Sequence, residues 1–168
     1  MIFQRVEAVK LSGPSANTPN LISPKYLREP HVPEGSLLGT IEIQSVGVRA
    51  VVLQGDSSEV LRRGVGHVPG TPLPGEAGNV ALAAHRDTIF RPLRNIKTGD
   101  LVVLRTNASS VAYRVRSTEI VPPTDIDVLD SRGTNELTLI TCYPFYYVGH
   151  APDRFIVRAS EVDPGGSR

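Results

Sequence analysis

The chain has 168 residues, 40% of them hydrophobic, which is enough for one domain folding around its own core. Its net charge is +1 with acids and bases interspersed, which argues against nucleic acid or an anionic membrane surface as the main partner. A single cysteine excludes an internal disulfide, and no apolar run approaches the ~20 residues that span a bilayer.

Residues 1–35 are punctuated by Pro14, Pro19, Pro24, Pro30 and Pro33, with Ser and Asn between them. They read as an extended arm or linker with room for one short helical turn. The start, "MIFQRVEAVKLSGPS", lacks the sustained apolar core of a signal peptide, so an exported protein would need its anchor outside this sequence. From Ser36 the texture changes to short β-like runs. "LLGTIEIQ" and "VRAVVLQ" are rich in β-branched residues, and Gly47 lies in the turn between them. "SSEVLRR" (57–63) predicts one or two helical turns, capped by Ser57 or Ser58 and stopped by Gly64. "TPLPGEAGN" is a long turn, and "VALAAH" (80–85) follows as a buried apolar strand. "TIFRPLRNI" (88–96) is a short helix or loop. "GDLVVLRT" (99–106) and "VAYRVRSTEIV" (111–121) predict a hairpin, the second strand showing the period of a half-buried ladder. "PPTDIDVLD" (122–130) is a connection with a helical turn, and "ELTLITC" and "RFIVRAS" are the last strands. Many short strands, turn signals between them and little helix predict an all-β chain closed, or nearly closed, into a barrel.

Cys142 ends a strand, a rigid platform open on one side. Thr138, Ile140 and Cys142 share one face of it, and Leu137, Leu139 and Thr141 the other. Pro144 stops the ladder two residues later. A lone cysteine is more often a small buried hydrophobe than a nucleophile. To act, it needs a histidine as base or ion-pair partner and a donor for the oxyanion of acyl transfer. Among the histidines, His31 lies in the Pro-rich arm and reads as a solvated loop residue. His67 precedes "VPG" in a loop and nothing in its setting compels a role. His150 follows Gly149 near Cys142 in sequence and suits a site wall. His85 stands out, because it ends the apolar run "VALAA" and begins the polar "HRDT". Arg154 opens the strand "RFIVRA" and carries a permanent planar charge; Arg158, its competitor, lies four residues farther in. Arg86 and Asp87 read as a surface pair. Neither Cys-x-x-Cys nor His-x-x-x-His is present, so no metal site is expected, and "GVGHVPG" has neither phosphate-loop nor dinucleotide-binding spacing.

"TLITC" (138–142), "NVALAAHRDTIFRPLRNIKTGD" (79–100), "PPTDIDVLD" (122–130) and "RFIVRA" (154–159), in this order, together resemble the sortases, cysteine transpeptidases of the bacterial cell surface. The resemblance covers residues 36–161, and "CYPF…APDRFIVRA" is most similar to class D or the neighbouring class E. It implies an eight-stranded β-barrel with short helices and long loops over 36–161, preceded by the arm 1–35 and followed by a tail at 162–168. It also implies Cys142 as nucleophile, His85 as general acid and base, Arg154 as oxyanion stabiliser and Thr141 as an assisting residue. Tyr143, Phe145, His150 and Ala84 are expected to line the substrate groove, with the turn "HVPGTPLPGEAGN" in its wall. The expected substrates are surface proteins with an LPxTG-like sorting signal, cleaved after Thr. The expected acceptor is an amine from a cell-wall precursor or a pilin lysine. The expected setting is a monomer at the extracytoplasmic face of the membrane, anchored by an N-terminal segment absent from this sequence. No cofactor is expected: some relatives bind calcium through clustered acids, whereas Asp56, Glu59 and the acids of 125–130 are scattered here. A sortase-like module that binds peptide without turnover, a plain cysteine peptidase using water, and a structural barrel with an inert core cysteine are the alternatives.

Overall fold

A computed structural model describes residues 2–3 and 31–163 of the chain. Eight strands close into a barrel: β1 (Leu37–Ile43), β2 (Val48–Gln54), β3 (Val65–His67), β4 (Asn79–Ala83), β5 (Leu101–Arg105), β6 (Ser110–Val121), β7 (Glu136–Tyr143) and β8 (Asp153–Glu161). Around the barrel the order is β1-β2-β3-β4-β7-β8-β6-β5, and β5 pairs back onto β1. Closure removes the free strand edges that an open sheet would expose. The all-β barrel read from the sequence, with the eight strands that the sortase resemblance implies, is therefore the architecture observed. Neighbours are antiparallel except β2–β3 and β4–β7, which are parallel and need crossover connections.

The alternation along each strand sorts side chains between two cores. Leu137 and Leu139 of β7, Val80 and Leu82 of β4, and Val157 and Ala159 of β8 point into the barrel with Phe90 and Tyr113. Ala81 and Ala83 of β4, Ile140 of β7 and Ile156 of β8 form a second cluster on the opposite face of the same three strands. β4 is thus buried on both faces, which is why "NVALA" is a continuous apolar run rather than an alternating one. Full burial of each such leucine contributes about 1.5–3 kcal/mol.

The local signals behave as their chemistry requires. Ser57 caps helix α1 (Ser58–Arg63) by accepting the Val60 N–H, and Gly64 ends it. Gly47 takes φ +73° in the turn between β1 and β2. At the β1 irregularity, a Cβ on Gly39 would collide with the Arg105 carbonyl, so only glycine lets β1 and β5 close the barrel there. The 88–96 stretch is a loop with a 3-10 turn at Arg91–Asn95, and the 122–130 connection carries another at Asp127–Leu129. The arm expected over 1–35 lies mostly outside the described residues, at 4–30.

His67 differs from the sequence reading. It belongs to β3, not to a loop, and is 1% exposed. A three-residue strand that follows Gly64 and has Gly66 at its centre has no alternation to detect; pairing with β2 and β4 creates it. The ring Nε2 lies 2.9 Å from the Pro72 carbonyl, which can only accept, so Nε2 carries a hydrogen. The same nitrogen lies 3.0 Å from Thr71 Oγ1, and Nδ1 lies 2.9 Å from the Gln54 amide. Thr71 in turn donates to Val68 O and accepts from Ala81 N–H, so the imidazole anchors the turn between β3 and β4. Burial disfavours the charged ring and lowers the His67 pKa below its ordinary value. A lowered folded-state pKa means that the unfolded chain binds the proton more tightly. The His67 contribution is complete above the unfolded pKa of about 6.5 and is lost as pH falls from there toward the folded value. In His67→Gln, the decline of Tm on acidification from pH 7.5 to 5 should be shallower than in the parent, on top of a loss of about 1–3 kcal/mol at neutral pH. Thermal unfolding across that range tests this, and parallel slopes in both proteins would remove the role assigned to His67.

Candidate active site

β7 lies between β4 and β8, and the site is built where these three strands end together. In the antiparallel β7–β8 ladder Cys142 is directly opposite Arg154, and the preceding same-face pair is Ile140 opposite Ile156. Directly opposed residues have Cα atoms about 4.5–5.5 Å apart, so the thiol and the guanidinium start from adjacent backbone positions. In the parallel β4–β7 ladder Ala83 is the partner of Ile140. Ala84 extends that pairing, with its N–H donating to Ile140 O at 3.2 Å. Thr141 Oγ1 then donates to Ala84 O at 2.8 Å from a fully buried position. The next residue is His85, which leaves the sheet alongside Cys142 by the same register. Its carbonyl accepts from Phe90 N–H at 3.1 Å, which closes the turn that follows. Three residues far apart in the chain thus converge on one end of one face. Thr141 acts on this arrangement by tying the end of β4 to the end of β7.

Cys142 and His85 are both partly exposed, in contrast to the buried run Leu137–Thr141 that leads to the thiol. Arg154 is held from several sides: Nε donates to Ile2 O at 2.7 Å, and Nη1 to Asp153 O at 3.0 Å and Ala151 O at 3.4 Å. Its competitor Arg158 is committed elsewhere. It pairs with Glu119 at 2.6 Å and donates to Val128 O at 3.4 Å, opposite Thr138 rather than Cys142.

The residues expected to line the groove fall in different places. Tyr143 points to the face of β7 opposite Cys142. It packs with Phe145 and Phe155, with ring centroids 6.0 and 6.4 Å away, while Phe145 and Phe155 lie 5.2 Å apart and against the barrel interior. This aromatic group closes the barrel beneath the site. The Ala84 side chain is in the interior cluster, so its contribution at the groove is the backbone that Thr141 holds. His150 is exposed in the 144–152 loop. His31 is exposed and lines a cavity of about 680 Å³ with His67, Gln54 and Thr71, away from the strand ends that carry Cys142.

In the sequence Arg86 reads as half of a surface pair with Asp87. Its Nη2 instead donates to Tyr147 O at 2.8 Å and Gly149 O at 3.0 Å, and its guanidinium lies 5.9 Å from the Tyr147 ring centroid. It pins the loop between β7 and β8 to the residue after His85. Nothing in the sequence marks this role, because its hydrogen-bond partners are backbone carbonyls.

The fold is thus a closed eight-stranded barrel whose strand register gathers a thiol, an imidazole and a guanidinium at one end. The family model for the Sortase domain matches residues 41–162, and the chain belongs to the sortase family. Sortase D of Bacillus subtilis (strain 168) is 34% identical over 129 residues, covering 76% of this chain and 65% of the relative. Sortase A of Bacillus anthracis is 32% identical over 110 residues, covering 63% of this chain and 52% of the relative. The chain therefore spans between half and two thirds of the length of these relatives. Among solved structures, sortase C from Clostridium perfringens has a TM-score of 0.71 at 35% identity, covering 83% of this chain and 76% of that one. Sortase A from Corynebacterium diphtheriae has a TM-score of 0.73 at 27% identity, covering 80% of this chain and 65% of that one. Among the described residues no helix is long and apolar enough to cross a membrane.

Proposed function

We propose that the chain is a cysteine transpeptidase that cleaves an LPxTG-like sorting signal after Thr and transfers the acyl part to an amine. The observation that carries this reading is the register that sets Cys142 opposite Arg154, with His85 extending the strand on the other side. The Cys142 thiolate attacks the carbonyl carbon of the threonine, and a C–S bond forms. Arg154 donates to the oxygen as it takes up negative charge. On collapse the peptide C–N bond breaks, and His85 gives its proton to the departing nitrogen. A thioester remains on Cys142. An incoming amine attacks it while His85, now neutral, takes the amine proton. The C–S bond then breaks and the thiolate returns.

Surface proteins bearing the signal are the proposed donors, and an amine of a cell-wall precursor or a pilin lysine is the proposed acceptor. Such substrates put the enzyme at the extracytoplasmic face of the membrane. A peptide library offered with and without a free amine, and read by mass spectrometry, tests the reading. The expected product with amine is a peptide ending in an amide bond from Thr to the acceptor. Hydrolysis product alone, at every amine concentration, would assign the chain to the plain cysteine peptidases instead, and no turnover at all to the binding modules.

A further inference from the structure

The loop 144–152 joins the strand that carries Cys142 to the strand that carries Arg154. It has little of its own to hold it in place. Tyr146, Tyr147 and Val148 are 71%, 48% and 100% exposed, so its tip has no apolar anchor in the barrel. Among the described residues, no backbone–backbone hydrogen bond reaches any residue of 144–152. The tip is tethered instead by one side chain. Arg86 Nη2 donates to Tyr147 O at 2.8 Å and to Gly149 O at 3.0 Å, so its two N–H groups grip the backbone on both sides of Val148. The same guanidinium lies 5.9 Å from the Tyr147 ring centroid. Its Nη1 is buried with no hydrogen-bond partner among the described residues, a desolvation cost that the two Nη2 bonds offset.

A second clasp lies beside the first. The guanidinium groups of Arg91 and Arg94 are 5.9 and 5.3 Å from the Tyr146 ring centroid. The segment that supplies both clasps is itself fixed. Phe90 and Leu93 are buried in the barrel interior, and Phe90 N–H closes the turn onto His85 O. The residue after His85 therefore holds the loop that separates Cys142 from Arg154. We propose that Arg86 is a positioning residue for the acyl-transfer site: it keeps the 146–149 tip seated against the end of β4 before a peptide arrives. This rests on the transpeptidase reading for the meaning of the loop as a groove wall. The clamp itself depends only on the contacts above. Without it the tip is seated for a smaller fraction of the time, and apparent peptide affinity falls by that fraction. Saturating peptide restores the seated form, so the maximal rate is preserved.

The test uses the full chain with Arg86→Ala, and with Arg86→Lys as the variant that keeps the charge but loses the planar fork. Three readouts are taken side by side: cleavage of an LPxTG-like peptide, alkylation of Cys142 by a small thiol reagent, and limited chymotrypsin digestion. Mass spectrometry scores the digestion for cuts after Tyr146 and Tyr147. Arg86→Ala should raise KM on the order of tenfold at nearly constant kcat. It should be cut faster at the tip and alkylated at the parental rate. Arg86→Lys should move KM and tip cutting in the same direction by less. Unchanged KM and unchanged tip cutting in a folded Arg86→Ala protein would overturn the clamp. A fall in kcat with KM unchanged would also overturn it, because Arg86 would then act in the chemical step rather than by seating the loop. Faster tip cutting in Arg86→Ala, with no signal peptide cleaved by the parent, would keep the clamp and overturn the transpeptidase reading. If Arg86→Ala does not fold, Arg86→Lys decides alone: parental KM and parental tip cutting in that variant sink the proposal.

Discussion

Cys142→Ala should lose both cleavage and transfer of a sorting-signal peptide, by a factor on the order of 10⁴ or more. The proposed mechanism passes through a covalent bond to this sulfur, and no second cysteine exists in the chain to replace it. Without the sulfur only binding and oxyanion stabilisation remain, and those cannot form the acyl intermediate. Stability should barely change. Cys142 is partly exposed at the end of β7, so removing its sulfur opens no closed cavity, and the shift should stay within about 0.5 kcal/mol. Peptide turnover followed by mass spectrometry, with Tm as the control, separates the two effects. Cleavage at the parental rate in a folded Cys142→Ala protein would end the nucleophile assignment.

Arg154→Lys should lower kcat by about 10²–10³-fold, the range for removing one well-placed oxyanion donor. The substitution keeps the positive charge. It loses the planar fork that lets Nε serve one carbonyl while Nη1 holds Asp153 O and Ala151 O. The ammonium is a single point on a flexible stem and cannot meet those directions together. The variant also loses the hydrogen bond from Nε to Ile2 O. Alkylation of Cys142 should not slow, whereas kcat at saturating peptide should fall. A kcat near the parental value would move oxyanion stabilisation away from Arg154.

Much of this fold is legible in short stretches of sequence. Alternation in "VAYRVRSTEIV" marks β6, the continuous apolar run "VALAA" marks a strand buried on both faces, and Ser57 and Gly64 bracket the helix. These signals are local, because side-chain period and capping chemistry depend on neighbours within a few residues. β3 escaped because three residues carry no period. Its two ladders, to β2 and β4, exist only once the barrel closes. His67 reads as a loop histidine in the sequence for the same reason, since the carbonyl and hydroxyl that hold it come from a turn several residues away.

The candidate site divides along the same line. The sequence by itself determined that Cys142, His85 and Arg154 stand at strand ends, where apolar runs meet polar residues, and that they match the sortase pattern. Only the tertiary structure decided that those ends meet. Register is a long-range property: the β7–β8 pairing sets Cys142 opposite Arg154, and the parallel β4–β7 pairing brings His85 alongside. The same folding decided that Arg86 serves backbone carbonyls rather than Asp87, and that Tyr143 turns toward Phe155. It also decided that Ile2 and Phe3, which no local pattern distinguishes, are buried against β4, β7 and β8. Burial of a segment depends on an apolar surface elsewhere that has room for it, and that surface forms only when the alanines of β4 and the isoleucines of β7 and β8 come to lie on one face.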